Sequence, residues 1–187
     1  MPPQKRFQDL LFVDTETTGL DPSKHELLEV AAIRTTPDGL TVLSTFQAKV
    51  RPLHIETAEP KALQINGYSE EEWTEEKCVP LGSMVDAIQK MANQTVMVGQ
   101  NVSFDESFLS PVFKSFGMKP PWGYHKVDTI ALAWPLFQYS ELEGLSLEKL
   151  CRFLKVDNMP GHRAMPDALA CRDVYLKLMA KWQPSAS

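Results

Sequence analysis

The chain has 187 residues, 43% of them hydrophobic and 23% charged, with a formal net charge of −5. That is enough chain to bury the core of one domain, with the composition of an ordinary soluble globular protein and not of a disordered or collagen-like one. The acidic balance argues against a simple electrostatic nucleic-acid binder, which carries a dense Lys/Arg stripe; a nucleic-acid enzyme of this charge needs bound cations to supply positive potential.

In chain order, residues 1–6 lack the apolar core and cleavage site of a secretory leader and read as a loose end. Leu10-Leu11-Phe12-Val13 predicts a buried strand continuing through Asp14-Thr15-Glu16 and ended by Thr17-Thr18-Gly19. Leu27–Thr36 and Thr41–Val50 flank the turn tripeptide Pro37-Asp38-Gly39, which predicts an antiparallel hairpin. Leu81, Met84, Val85, Ile88, Met91 and Ala92 follow helical spacing, and Thr95–Val98 is a short strand closed by Gly99. A second amphipathic helix carries Phe108, Leu109, Val112, Phe113 and Phe116. His125–Val127 predicts a last strand, with Asp128 as N-cap of the helix that follows. Ser146 is placed to cap a helix with Leu147, Leu150, Cys151 and Leu154 on one face. A final helix from near Pro166 to Trp182 carries Cys171, Val174, Tyr175, Leu178 and Trp182 on one face, and residues 183–187 read as a second loose end.

Strands grouped early and then separated by helices predict one α/β domain over residues 7–182, with a meander extended by helical crossovers into a mixed sheet. No apolar run is long enough to span a bilayer. The three cysteines, Cys78, Cys151 and Cys171, are far apart and form no C-x-x-C pair. That pattern favours a reducing compartment and gives no support for a zinc site or a disulfide framework, so a cytoplasmic enzyme is expected.

Three acidic segments carry the chemistry. Strand side chains alternate, so Asp14 and Glu16 project to the same side, where two carboxylates repel unless a proton or cation lies between them. Asp105, in Asn101-Val102-Ser103-Phe104-Asp105, precedes Phe108 and Leu109 by three and four residues. It therefore shares their apolar stripe, where an unpartnered charge would be costly. His162-Arg163-Ala164-Met165-Pro166-Asp167 sets Asp167 at a helix start and His162 in its approach, after a loop, Asp157–Gly161, expected to be free to move. Each segment alone has a bland reading as a solvated strand end, a dipole-compensating acid or a capping residue. Their occurrence in this order, each at the edge of a predicted element, favours a shared site.

The stretches Phe12–Leu20, Val98–Asp105 and His162–Asp167 resemble the three motifs of the DEDDh exonucleases, which include the proofreading epsilon subunit, RNase T and oligoribonuclease. The resemblance covers about Phe7 to Trp182 and implies a ribonuclease-H-like, mixed five-stranded sheet flanked by helices. It implies that Asp14, Glu16, Asp105 and Asp167 bind two divalent cations, Mg²⁺ or Mn²⁺, with His162 as general base. A sister group carries Tyr four residues before the last Asp, where this chain has Arg163. The implied reaction is hydrolysis of phosphodiester bonds at the 3′ end of single-stranded DNA, releasing nucleoside 5′-monophosphates. The resemblance also implies substrate contacts from Thr15 and Thr17 through backbone or hydroxyl, from Leu20 wedged against the last base, from Asn101, and from Phe104 near the sugar.

Asn66, before Gly67, stands where many of that family carry His. Asp128-Thr129 reads as a helix cap only, and Trp122 and Tyr124 as a packed loop with base stacking as the alternative. The expected partners are nucleic-acid 3′ ends and, as a candidate, a polymerase or other replication or repair protein. Without the long C-terminal extension of the epsilon subunit, a dedicated polymerase-bound role is less expected. Two alternatives stand beside this reading: an RNA-directed exoribonuclease, and a catalytically inactive binding or scaffold protein.

Overall fold

Strand β1 (Leu10–Thr17) is the middle strand of a five-stranded sheet, between β2 (Leu27–Thr35) and β4 (Val96–Gly99), with β3 (Val42–Lys49) beyond β2 and β5 (Lys126–Asp128) beyond β4. The computed structural model describes residues 7–158 and 161–182. The expected loose ends, and Met159-Pro160 of the loop before His162, lie outside the described residues. β2 and β3 pair antiparallel, as the turn tripeptide predicts, and β1 pairs antiparallel with β2. β4 and β5 join in parallel after helical crossovers, so the sheet is mixed. Each hairpin strand ends a residue early at the turn. There Asp38 accepts from the Leu40 N–H and the Thr36 hydroxyl, closing the loop locally.

Alternation along β1 divides the core into two layers. Leu10 and Phe12 pack with Ala31 and Ile33 under α4 (Thr129–Phe137), α5 (Leu147–Leu154) and α6 (Ala164–Trp182). Leu11 and Val13 pack with Val30, Ala32 and Met97 under α2 (Leu81–Met91) and α3 (Val102–Ser115). Phe12 and Leu11 are both fully buried, each contributing about 1.5–3 kcal/mol by leaving water. The sheet is thus covered on both faces, and β1 carries its C-terminal residues out between the two helical layers.

Helix α1 (Pro60–Asn66) was not expected from apolar spacing, although its punctuation is legible: Pro60 opens it and Gly67, at φ 68°, closes it. α6 begins at Ala164, two residues before Pro166, because proline costs nothing in a first turn whose N–H groups have no intrahelical acceptor. Cys171, Val174, Tyr175 and Leu178 are buried on its inner face, but Trp182 is 48% exposed at the helix end. Among the described residues no helix is long and apolar enough to cross a membrane.

Candidate active site

The acidic segments converge at the C-terminal end of β1. Asp14 and Glu16 continue the Leu10–Phe12 face toward α6, while Thr15 and Thr17 continue the Leu11–Val13 face toward α3. Asp105 arrives from that second side, in the first turn of α3, and is 3% exposed. The Thr15 hydroxyl donates to its Oδ1 at 2.8 Å, fixing the carboxylate against the strand. α3 starts so close to β4 because Gly99 has no side chain: a Cβ there would meet Val102 at 3.1 Å. Asn101 makes the turn with left-handed backbone, φ 61°.

Asp167 and His162 come from the opposite layer. Gly161 N–H donates to Asp167 Oδ1 at 2.7 Å and Asp167 N–H donates to the Arg163 carbonyl at 3.1 Å, which ties the turn to the first turn of α6. His162 lies within that turn at φ 53°, exposed to solvent. One ligand atom each from Glu16, His162 and Asp167 fall within 4.8 Å of one another. A cavity of about 330 Å³, lined by Ser146, Leu147, Glu148, His162 and Asp167, opens beside them. A second cavity of about 330 Å³, lined by Leu27, Leu53, Phe108 and other mostly apolar residues, contains none of the clustered acids.

The electrostatics show the crowding. Burial pushes Asp14 well above the usual carboxylate range, and repulsion from Asp105, Asp167, Glu16 and Glu29 pushes it further. Burial, with Asp167, Glu29 and Asp105 adding repulsion and Arg163 opposing it, raises Glu16 to about 8. Burial raises Asp105 to about 7 against the lowering effect of the Thr15 hydrogen bond. Asp167 is raised by burial while the Gly161 N–H and His162 pull it down. Burial and mutual repulsion therefore both oppose the charged carboxylates, and a bound cation would relieve that repulsion. The Glu16 and Asp167 carboxylates, converging within 4.8 Å, are of a kind that holds divalent cations.

Two partners of the site escaped the sequence reading. Glu29 is wholly buried in β2, directly across from Glu16. Its Oε2 accepts from Arg163 Nε at 2.9 Å and its Oε1 from Gln47 Nε2 at 2.7 Å. An acid inside the apolar run Leu27–Ile33 was the available signal. Asp128 caps α4 through the Ile130 N–H, as expected, and also accepts from the Asn101 and Val102 N–H groups at 3.2 Å, so it anchors α3 as well.

Of the expected substrate contacts, Leu20 is 72% exposed and Phe104 is half-buried, its ring 5.0 Å from that of Phe108. The Thr15 hydroxyl donates to Asp105 at 2.8 Å and the Thr17 hydroxyl to the Gly19 carbonyl at 2.7 Å. The Asn101 N–H is bound to Asp128, while the residue itself is exposed. Asn66 is buried, and its amide donates to the Thr17 carbonyl at 3.0 Å, clamping the end of β1. Trp122 packs at 82° against Phe113 and donates to Glu106, as a packed loop would, whereas Tyr124 is 90% exposed.

The chain resembles known proteins in both sequence and fold. The profile of the exonuclease family RNase_T matches residues 11–175, and the chain belongs to that family. The chain is 31% identical to the DNA polymerase III subunit epsilon of Rickettsia conorii over 177 residues, covering 90% of this chain and 73% of that protein. It is 28% identical to the PolC-type DNA polymerase III of Caldanaerobacter subterraneus, of whose length it spans 12%. Among solved structures, an exonuclease I superposes with a TM-score of 0.79 at 20% identity, over 92% of this chain and 41% of that one. That likeness establishes the α/β, ribonuclease-H-like fold. Exonuclease I of E. coli has been solved with dT13 and dA16 oligonucleotides.

Proposed function

We propose that residues 7–182 form one 3′→5′ exonuclease unit, acting on single-stranded DNA and releasing nucleoside 5′-monophosphates. The observation that carries this reading is the meeting of Glu16, His162 and Asp167 within 4.8 Å, beside Asp14, whose carboxylate is repelled by Asp105, Asp167 and Glu16. Asp14 would share two divalent cations, Mg²⁺ or Mn²⁺, with Glu16 and Asp167 holding one and Asp105 the other. When bound, these ions supply charge neutralisation at the phosphoryl oxygens and make water more acidic.

The chain's own residues do the rest. His162 accepts the proton of the attacking water, and its exposed position lets the proton pass to solvent. Leu20 packs against the last base and holds it off the next, Phe104 supports the sugar, and backbone groups of Thr15 and Thr17 and the exposed Asn101 contact the terminal nucleotide. Thr15 and Gly161 hold Asp105 and Asp167 in place, so their carboxylates need little reordering. DNA is favoured because the curated relatives include DNA polymerase subunits and exonuclease I binds single-stranded oligonucleotides. The same relatives support a polymerase as a candidate partner. The free cysteines Cys78, Cys151 and Cys171 suit the cytoplasm.

The test is one gel with labelled single-stranded DNA, duplex DNA with a mismatched 3′ end, and RNA, in Mg²⁺ with and without chelator. Stepwise loss from the 3′ end of single-stranded DNA, stopped by chelator, is expected. Shortening from the 5′ end, or no shortening, refutes the reaction, and a faster RNA lane refutes the choice of substrate.

A further inference from the structure

The pair Arg163–Glu29 does something that stability alone does not explain. Glu29 is 1% exposed at its side chain and stands directly across from Glu16, where its charge adds to the repulsion on Asp14 and Glu16. Glu29 is buried but Arg163 is 43% exposed, and desolvating the acid offsets most of what such a pair contributes, so the acid adds repulsion at the site for little gain in stability. What it does provide is a fixed anchor. Arg163 reaches it from the residue after His162, through Nε at 2.9 Å and a second guanidinium nitrogen at 3.4 Å, while Gln47 fixes the other oxygen at 2.7 Å.

His162 needs such an anchor. Its φ of 53° is unfavourable for a residue with a side chain, and its exposed ring is not held by packing. On one side the turn is tied by Gly161 N–H to Asp167, and on the other by Arg163 to Glu29. We infer that Arg163 and Glu29 are positioning residues, a strut from strand β2 that holds the His162 backbone where its ring faces Glu16 and Asp167. This rests on His162 acting as proposed above.

The experiment compares wild type with Arg163→Met, Arg163→Lys and the double variant Glu29→Gln/Arg163→Met. It measures kcat and KM on single-stranded DNA, thermal melting, and the NMR signal of the His162 ring. Arg163→Met should lower kcat about 10–100-fold, the usual cost of losing a supporting partner, with KM within about twofold. It should also melt earlier, because it strands a buried charge. The double variant removes that charge, so its melting temperature should recover while kcat stays low and the His162 signal stays shifted. Arg163→Lys, keeping one donor to Glu29, should recover part of kcat. Wild-type kcat in Arg163→Met, an unmoved His162 signal, or recovery of kcat together with melting in the double variant would overturn the strut. An inactive wild type whose His162 signal still moves in Arg163→Met would count against the proposed reaction alone.

Discussion

Removing cations should make this fold less stable as pH rises, the reverse of the usual behaviour of paired carboxylates. Glu16 rises from 4.5 to about 8 on folding, so between those values the folded chain binds more protons than the unfolded one. Stability then falls with pH across that window, since it rises only where the unfolded state binds more protons. At about 1.4 kcal/mol per pH unit, Glu16 could take up to about 5 kcal/mol from the cation-free fold by pH 8. Water reaching this partly exposed side chain reduces that to about 2 kcal/mol. Asp14 and Asp105 are raised too and act in the same direction. For a chain of this size about 2 kcal/mol corresponds to roughly 4–8 °C in melting temperature. Melting curves at pH 5 to 8 in EDTA should show a drop of that size, and excess Mg²⁺ should reverse it by binding the folded state. Asp14→Asn should flatten the pH dependence and melt higher than wild type in EDTA at pH 8. A melting temperature that is flat or rising in EDTA, with Asp14→Asn no more stable, would refute the reasoning.

Three further outcomes follow from the site. His162→Ala should lower kcat about 10²–10⁴-fold with Mn²⁺ binding retained by calorimetry, and Asp14→Ala should lose both. Thr15→Val removes the hydroxyl that donates to Asp105 and should weaken Mn²⁺ binding about 10–100-fold, read in the same titration. Gly19→Ala would bring a Cβ within 2.5 Å of the His25 ring and push the adjacent Leu20 out of place. It should raise KM for single-stranded DNA several-fold, and an unchanged KM would remove Leu20 from the substrate contacts.

Much of the fold was legible because its signals are local. Alternation from Leu10 to Glu16, the Pro37-Asp38-Gly39 turn and the Ser146 cap each depend on a few adjacent residues, and the structure has each of them. Helix α1 was missed because Ala62, Leu63 and Ile65 form no clear stripe, although Pro60 and Gly67 marked both its ends. What the Thr15 and Thr17 hydroxyls donate to was set by the tertiary structure. Their acceptors are Asp105, in another layer, and the Gly19 carbonyl, whose position depends on how the loop turns.

By itself the sequence determined which side chains could share a face: strand alternation joins Asp14 to Glu16, and helix periodicity turns Asp105 toward the core. Only the tertiary structure decided which of them meet, because β1, α3 and α6 approach through the packing of two separate apolar layers. Glu29 and Arg163, 134 residues apart, could not be paired by any local rule. Their contact exists because β2 lies beside β1 and α6 packs against both.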